Sequence, residues 1–374
     1  MTLRNTTLIL LVLTMIHNKP ADAGQLLYLA STQEKTITAY HVNEDTGDLK
    51  RSFTVTLPGN AGAMAFSSDH SRVYAAVTGL QDKRAGVATL SRAKDGTLKL
   101  LNTATITSRA PYIRADKNNQ NLLAAHYGAG EVTVYRIRDG ICTGELTTQI
   151  KTEKTAHCIE IDPSGRFVYV PHTGPNKLYQ FRLNADSGVL TALDPPFVAG
   201  PDTEHRYHEP RHYAHHPTLK MAYTSNENGG GITAWHFNEQ TGAMRRGKTL
   251  CTLPDGYKES SHAADIQITP DGRFAYVSNR DTTKRSEGQL YQDNICAVAI
   301  DGQTGAMRIV GQYPTGRYPR ATCIDLKGGY FFAAGQLSND LYAYRLDAKT
   351  GALKHLKTYP TGGTPIWVMC GSVE

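Results

Sequence analysis

The sequence predicts an all-β fold, a seven-bladed β-propeller with four antiparallel strands per blade. Three observations carry that expectation. A turn of Thr, Asp or Ser followed by Gly recurs seven times, at Thr46-Gly47, Asp95-Gly96, Asp139-Gly140, Ser187-Gly188, Thr241-Gly242, Thr304-Gly305 and Thr350-Gly351, at intervals of 44 to 63 residues. An alternating apolar run precedes each turn, ITAYHV before the first and LYAYRL before the last, and period-two alternation marks a half-buried strand. A second turn signal, clearest in DPSGRFVYV, HPTLKMAYT and TPDGRFAYV, leads into an aromatic anchor and is hairpin chemistry. Units of about 50 residues with four short strands cannot bury their faces alone, and closing them into a ring leaves only short sheet edges.

The chain opens on a targeting segment, residues 1–23. Arg4 supplies a positive start, Thr7 to Ile16 a ten-residue apolar core, and Ala21-Asp22-Ala23 a small-x-small cleavage site. A ten-residue run is too short to cross a bilayer, which takes about 20. The mature protein is expected to span residues 24–374 as one propeller domain, secreted or periplasmic, monomeric and free of the membrane once the segment is removed. Leu26-Leu27-Tyr28-Leu29 precedes the first full unit and Ile366-Trp367-Val368 follows the last. These two ends are expected to share a blade and close the ring.

Composition fits this architecture, since 34 Gly and 20 Tyr favour strands and turns over helices. The net charge of +6 is spread along the chain without a basic block, which speaks against nucleic-acid binding. Six cysteines in an exported chain invite a disulfide framework. Cys158 and Cys323, however, sit at matching places on apolar strands and read as buried reduced thiols. The states of Cys142, Cys251, Cys296 and Cys370 stay open, and no CxxC pair offers a zinc ribbon.

The segments TAHCIEIDPSGRFVYV, EPRHYAHHP, AYTSNE, ITPDGRFAYVSNR and YPRATCID together resemble the seven-bladed propeller lactonases. That family includes propeller-type 6-phosphogluconolactonases and carboxymuconate lactonizing enzymes. The resemblance runs over residues 25–370. It implies a hydrolytic or lactonizing site on one face of the ring, acting on a lactone without metal or other cofactor. By the family pattern His157, Arg211, Glu227 and Arg280 are the catalytic set. Two features depart from it: Asp265-Ile266-Gln267 stands where many members have Glu-x-His, and the export segment does not belong with cytoplasmic sugar-phosphate metabolism.

The repeat groups the same residues on its own terms. With Tyr169, Tyr223, Tyr276 and Phe332 as equivalent anchors, His157, Arg211 and Arg320 each lie twelve residues before an anchor. Glu227 and Arg280 each lie four residues after one. The first position begins an innermost strand and the second ends its hairpin partner, so all five are expected around one mouth of the central channel. His157 is the first choice of base, because a carboxylate beside arginines has its pKa lowered. Arg211 and Arg280 can grip an anion bidentately, while Arg320, His212 and Asn226 are expected to bind substrate.

Other polar residues compete for roles. Tyr112, His126, His172, Asn279 and Asn339 are candidates for the rim, and His262 for the site. His205, His208, His212, His215 and His216 cluster in sequence, but alternation lets only some converge, and zinc or copper needs three or four ligands. Three function classes remain: a lactone hydrolase or lactonizing cycloisomerase, a non-catalytic ligand-binding propeller in which these charges form structural ion pairs, and a metal-dependent enzyme.

Overall fold

Alternating runs bounded by tight turns can only satisfy their backbone groups by pairing with their neighbours, and every run does so. The computed structural model describes residues 24–374 apart from positions 205 and 287. The targeting segment, residues 1–23, and His205 therefore lie outside the described residues. Twenty-eight strands form seven four-stranded antiparallel blades. Blades 2 to 7 each use four consecutive strands, running 60–106, 112–151, 160–199, 208–251, 261–314 and 319–360. Blade 1 combines Gln25–Ser31, Thr36–Val42 and Leu49–Thr56 with the last strand, Pro365–Ser372, which lies innermost. The two chain ends share a blade, as expected.

The apolar interior lies between blades rather than at one centre. Seven hydrophobic clusters each join two adjacent blades, so every blade is covered on both faces. Second strands such as Asn121–His126 are consequently buried throughout, while outer strands such as Leu49–Thr56 are exposed at alternate residues.

The two repeated sequence signals meet in space. Anchor tyrosines donate their hydroxyls to the carbonyls of the Gly turns one blade on: Tyr28 to Gly96 at 2.7 Å, Tyr74 to Gly140 at 3.0 Å, Tyr169 to Gly242 at 2.6 Å, Tyr223 to Gly305 at 3.0 Å and Tyr276 to Gly351 at 2.9 Å. Those glycines have φ between +69° and +82°, where a side chain would be strained. In blade 7 the equivalent anchor position holds Phe332, and Tyr330 two residues earlier makes the bond, to Glu44 O at 3.1 Å. Cys158 and Cys323 are free and buried; the Cys323 sulfur lies 3.7 Å from that of Cys370.

Candidate active site

A register break in the innermost strands builds the site. In blade 5, Pro210 pairs with Asn226 and Tyr213 with Thr224, so Arg211 and His212 together oppose Ser225. Such a bulge bends the strand and re-aims side chains that regular alternation would send to opposite faces. Here it brings both Arg211 and His212 to one cavity. The displaced His212 amide donates to Ser225 Oγ at 3.2 Å. Blade 6 repeats the device, with Ala264 and Asp265 opposite Ser278 and the Asp265 amide on Ser278 Oγ at 3.0 Å. His212 and Asp265 are thus the same repeat position in neighbouring blades, 53 residues apart.

The cavity opens at one mouth of the channel and has a volume of about 770 Å³. His157, Arg211, His212 and Arg320 line it, with Trp367 on its wall and Lys83, Arg84 and Arg109 exposed towards its rim. Among the described residues lining it there is no Asp or Glu. Beneath it, Tyr112 packs edge-on against both His212 and Trp367, with centroids 5.2 and 5.0 Å apart.

His157 enters from blade 4, its amide on Pro171 O at 2.9 Å, and its ring lies 5.2 Å from that of His212. It is buried and its Nδ1 has no hydrogen-bond partner among the described residues. Burial first, then the charge of Arg211, pushes its pKa well below the usual range. His212 donates through Nδ1 to Asp265 Oδ1 at 2.8 Å. Burial and then Arg211 bring its pKa down to about 4, against the opposing pull of Asp265.

Glu227 holds two arginines. Its Oε1 lies 2.7 Å from Arg280 Nη2 and 3.3 Å from Arg211 Nε. Burial alone would raise its pKa, but Arg211 and Arg280 outweigh that and hold it at about 2, so the carboxylate is no base at neutral pH. Arg211 is fully buried and also donates to Ala264 O at 2.7 Å.

Two expectations need correction. Arg280 does not line the cavity. Its guanidinium donates to His262 O, Ala263 O and Glu227 and lies over the Tyr318 ring at 4.9 Å, so it braces Glu227 instead of gripping an anion. Asn226 is fully buried, donating to Tyr207 O at 2.9 Å and Thr233 Oγ1 at 2.7 Å. It stitches the blade together through those two bonds.

Arg320 is the opposite case. It lines the cavity, is partly exposed, and its guanidinium has no hydrogen bond or ion pair among the described residues. Burial, then Arg280, lowers its pKa to about 10.

The remaining candidates are structural. His126 is buried and bonded within its blade to Thr133, while His172 and Asn279 are buried and bonded to Thr152 and Thr252 in the connections from the preceding blade. His216, just past the end of the strand His208–His215, bonds Gly272 O in the neighbouring blade, away from His212. Among the described residues no group of three or more His, Cys, Asp or Glu could hold a metal ion. The residue that sequence reasoning passed over is Asp265, and its 53-residue offset from His212 was the available signal.

Residues 26–370 match the family described as Lactonase, 7-bladed beta-propeller. A 6-phosphogluconolactonase of Cronobacter sakazakii (strain ATCC BAA-894) is 29% identical over 94% of this chain and 99% of its own length. Among solved structures, the periplasmic gluconolactonase of Pseudomonas aeruginosa aligns with a TM-score of 0.80 at 20% identity, over 94% of this chain and 100% of that one. A protein from Lactobacillus plantarum aligns with a TM-score of 0.79 at 22% identity, over 93% of this chain and 99% of the other. At such identities the two structures speak for the fold.

Proposed function

The chain belongs to the seven-bladed β-propeller lactonase family, and we propose that it opens an anionic, sugar-derived lactone by metal-independent attack of water. The observation that carries this reading is a concave site walled by basic and imidazole side chains with no carboxylate among its described lining residues. Lys83, Arg84 and Arg109 at the rim suit a phosphate or carboxylate on the substrate. Arg320, with Arg211 behind it, faces the position where the ring carbonyl would develop charge, and preorganised cations there are worth most in a desolvated site. A neutral imidazole takes a proton from water, the oxygen adds to the carbonyl carbon, and collapse of the tetrahedral adduct breaks the ring C–O bond. The leaving alkoxide recovers the proton, giving the hydroxy acid.

Export is part of the proposal: it rests on residues 1–23, and a periplasmic gluconolactonase shares the fold. Native protein should begin at Gly24.

The test is turnover of 6-phosphogluconolactone and of uncharged gluconolactone, with and without chelator, for the wild type and Arg320→Met. Both lactones should open faster than in buffer, the charged one preferred, with chelator without effect. Arg320→Met should lose about 10²-fold in kcat/KM on the charged substrate. No acceleration of either lactone would leave a binding propeller; loss of activity to chelator would remove the metal-free mechanism.

A further inference from the structure

We propose that His212, and not His157, is the base that takes the proton of the attacking water, and that Asp265 positions it; this rests on the lactonase reading above. Two imidazoles border one cavity, 5.2 Å apart, but they are held very differently.

The Nδ1 of His212 lies 2.8 Å from Asp265 Oδ1. An ionised carboxylate only accepts, so the ring proton must sit on Nδ1, which leaves the lone pair on Nε2. Asp265 is itself fixed by four further donors. Its Oδ1 accepts from the Ile266 amide at 2.9 Å, and its Oδ2 from the Thr322 amide at 2.8 Å, Thr322 Oγ1 at 2.9 Å and Gln267 Nε2 at 3.3 Å. Burial would raise this carboxyl, but the bond from His212 and those from Thr322 outweigh it and keep the pKa low. The carboxylate is buried in blade 6, and Tyr112 and Trp367 flank the imidazole. A base whose other nitrogen is oriented by a fixed third group is the arrangement that activates nucleophiles on unrelated folds.

His157 has none of this. Its Nδ1 is buried without a hydrogen-bond partner among the described residues, so none of them fixes its tautomer through that nitrogen. Its remaining nitrogen suits a hydrogen bond to bound substrate.

The charges around His212 agree with the role. Arg211 from its own strand, Arg320 from blade 7 and His157 from blade 4 face it, and Asp265 is the carboxylate bonded to it among the described residues. The imidazole is therefore neutral at physiological pH and can accept a proton. In the reaction, Nε2 takes one proton from water as the water oxygen bonds to the carbonyl carbon. Asp265 steadies the imidazolium. The same proton passes to the ring oxygen as its bond to carbon breaks, which restores neutral His212.

The experiment compares wild type, His212→Ala, Asp265→Asn and His157→Gln on a lactone the wild type opens. His212→Ala should lower kcat by roughly 10²–10⁴. Added imidazole should restore about tenfold of that loss, with the acid limb of the pH profile moving up towards the pKa of free imidazole. Asp265→Asn should lower kcat and leave KM unchanged, because the asparagine amide donates to Nδ1 and moves the ring proton onto Nε2. His157→Gln should raise KM more than it lowers kcat. Nitrogen NMR of histidine-labelled wild type needs no variant to fold. It should show a ring protonated on Nδ1 alone, in through-space contact with Trp367. Protonation of that ring on Nε2 would overturn the assignment. So would His212→Ala and Asp265→Asn within threefold of wild type while His157→Gln collapses. If the wild type opens no lactone, the lactonase reading itself falls, and this inference with it.

Discussion

At the scale of single residues, the chemistry of the site comes from charge kept out of water. Arg211, Glu227 and Arg280 form a buried chain in which one carboxylate serves two guanidiniums, and removing the carboxylate would strand both. The buried histidines carry a second consequence, for stability. Burial lowers the pKa of His172 and His212 to about 4. The unfolded chain, with histidine near 6.5, therefore binds protons first as pH falls. Stability from these groups is complete above pH 6.5 and declines towards pH 4, by roughly 3 kcal/mol per histidine at the end of that range. Glu227, depressed to about 2, adds a further loss as pH falls from 4.5 to 2. Thermal melts across pH 4 to 8 should show Tm falling below pH 6.5. A flat Tm between 6.5 and 4 would contradict the burial of neutral imidazoles.

At the scale of elements, two local motifs separated in sequence become one inter-blade contact. The Tyr223 hydroxyl reaches the Gly305 carbonyl from 82 residues away. Tyr223→Phe removes that bond and leaves a buried carbonyl without its donor, which costs about 1–3 kcal/mol. The denaturant midpoint should fall accordingly. Tyr342→Phe, which loses no hydrogen bond of its hydroxyl among the described residues, should not move it. The turns and anchors were legible because each is set by a few consecutive residues: glycine at positive φ, an alternating run, an aromatic ring. In blade 7 the anchor position holds Phe332, which has no hydroxyl, and Tyr330 two residues earlier makes the inter-blade bond instead.

At the scale of the molecule, the ring is closed by the last strand. Pro365–Ser372 pairs with Gln25–Ser31 along its whole length, and it covers Leu26 to Ala30, all fully buried. Deleting residues 365–374 should strip that cover, expose both ends of the ring and abolish cooperative unfolding near the wild-type Tm. Circular dichroism melts check this, and a truncated chain melting within about 2 °C of the intact one, a shift worth only about 1–2 kcal/mol in a chain of this size, would contradict it. Closure also sets the site. The same strand carries Trp367 to the cavity wall, so the truncated chain should lose function along with its blade.

The sequence by itself determined the number of blades and the pairing of the chain ends, and its repeat spacing picked out His157, Arg211 and Arg320, which line one cavity. Those follow from spacing within a repeat, which is local and additive. Only the tertiary structure decided which of the candidates face the cavity. Asn226 and Arg280 turn into the protein, Arg320 stays open, and Asp265 comes under His212. For Arg211, His212, Asp265 and Arg320 the physical reason is the bulge, in which one unpaired residue in an innermost strand changes the facing of its neighbours. Asn226 and Arg280, on the second strands, are held by the hydrogen bonds of their own side chains. The same break recurs opposite Ala76 in blade 2, so a one-residue register shift is common to several blades, and what it presents is decided by the side chain it carries and by the neighbouring blade that receives it.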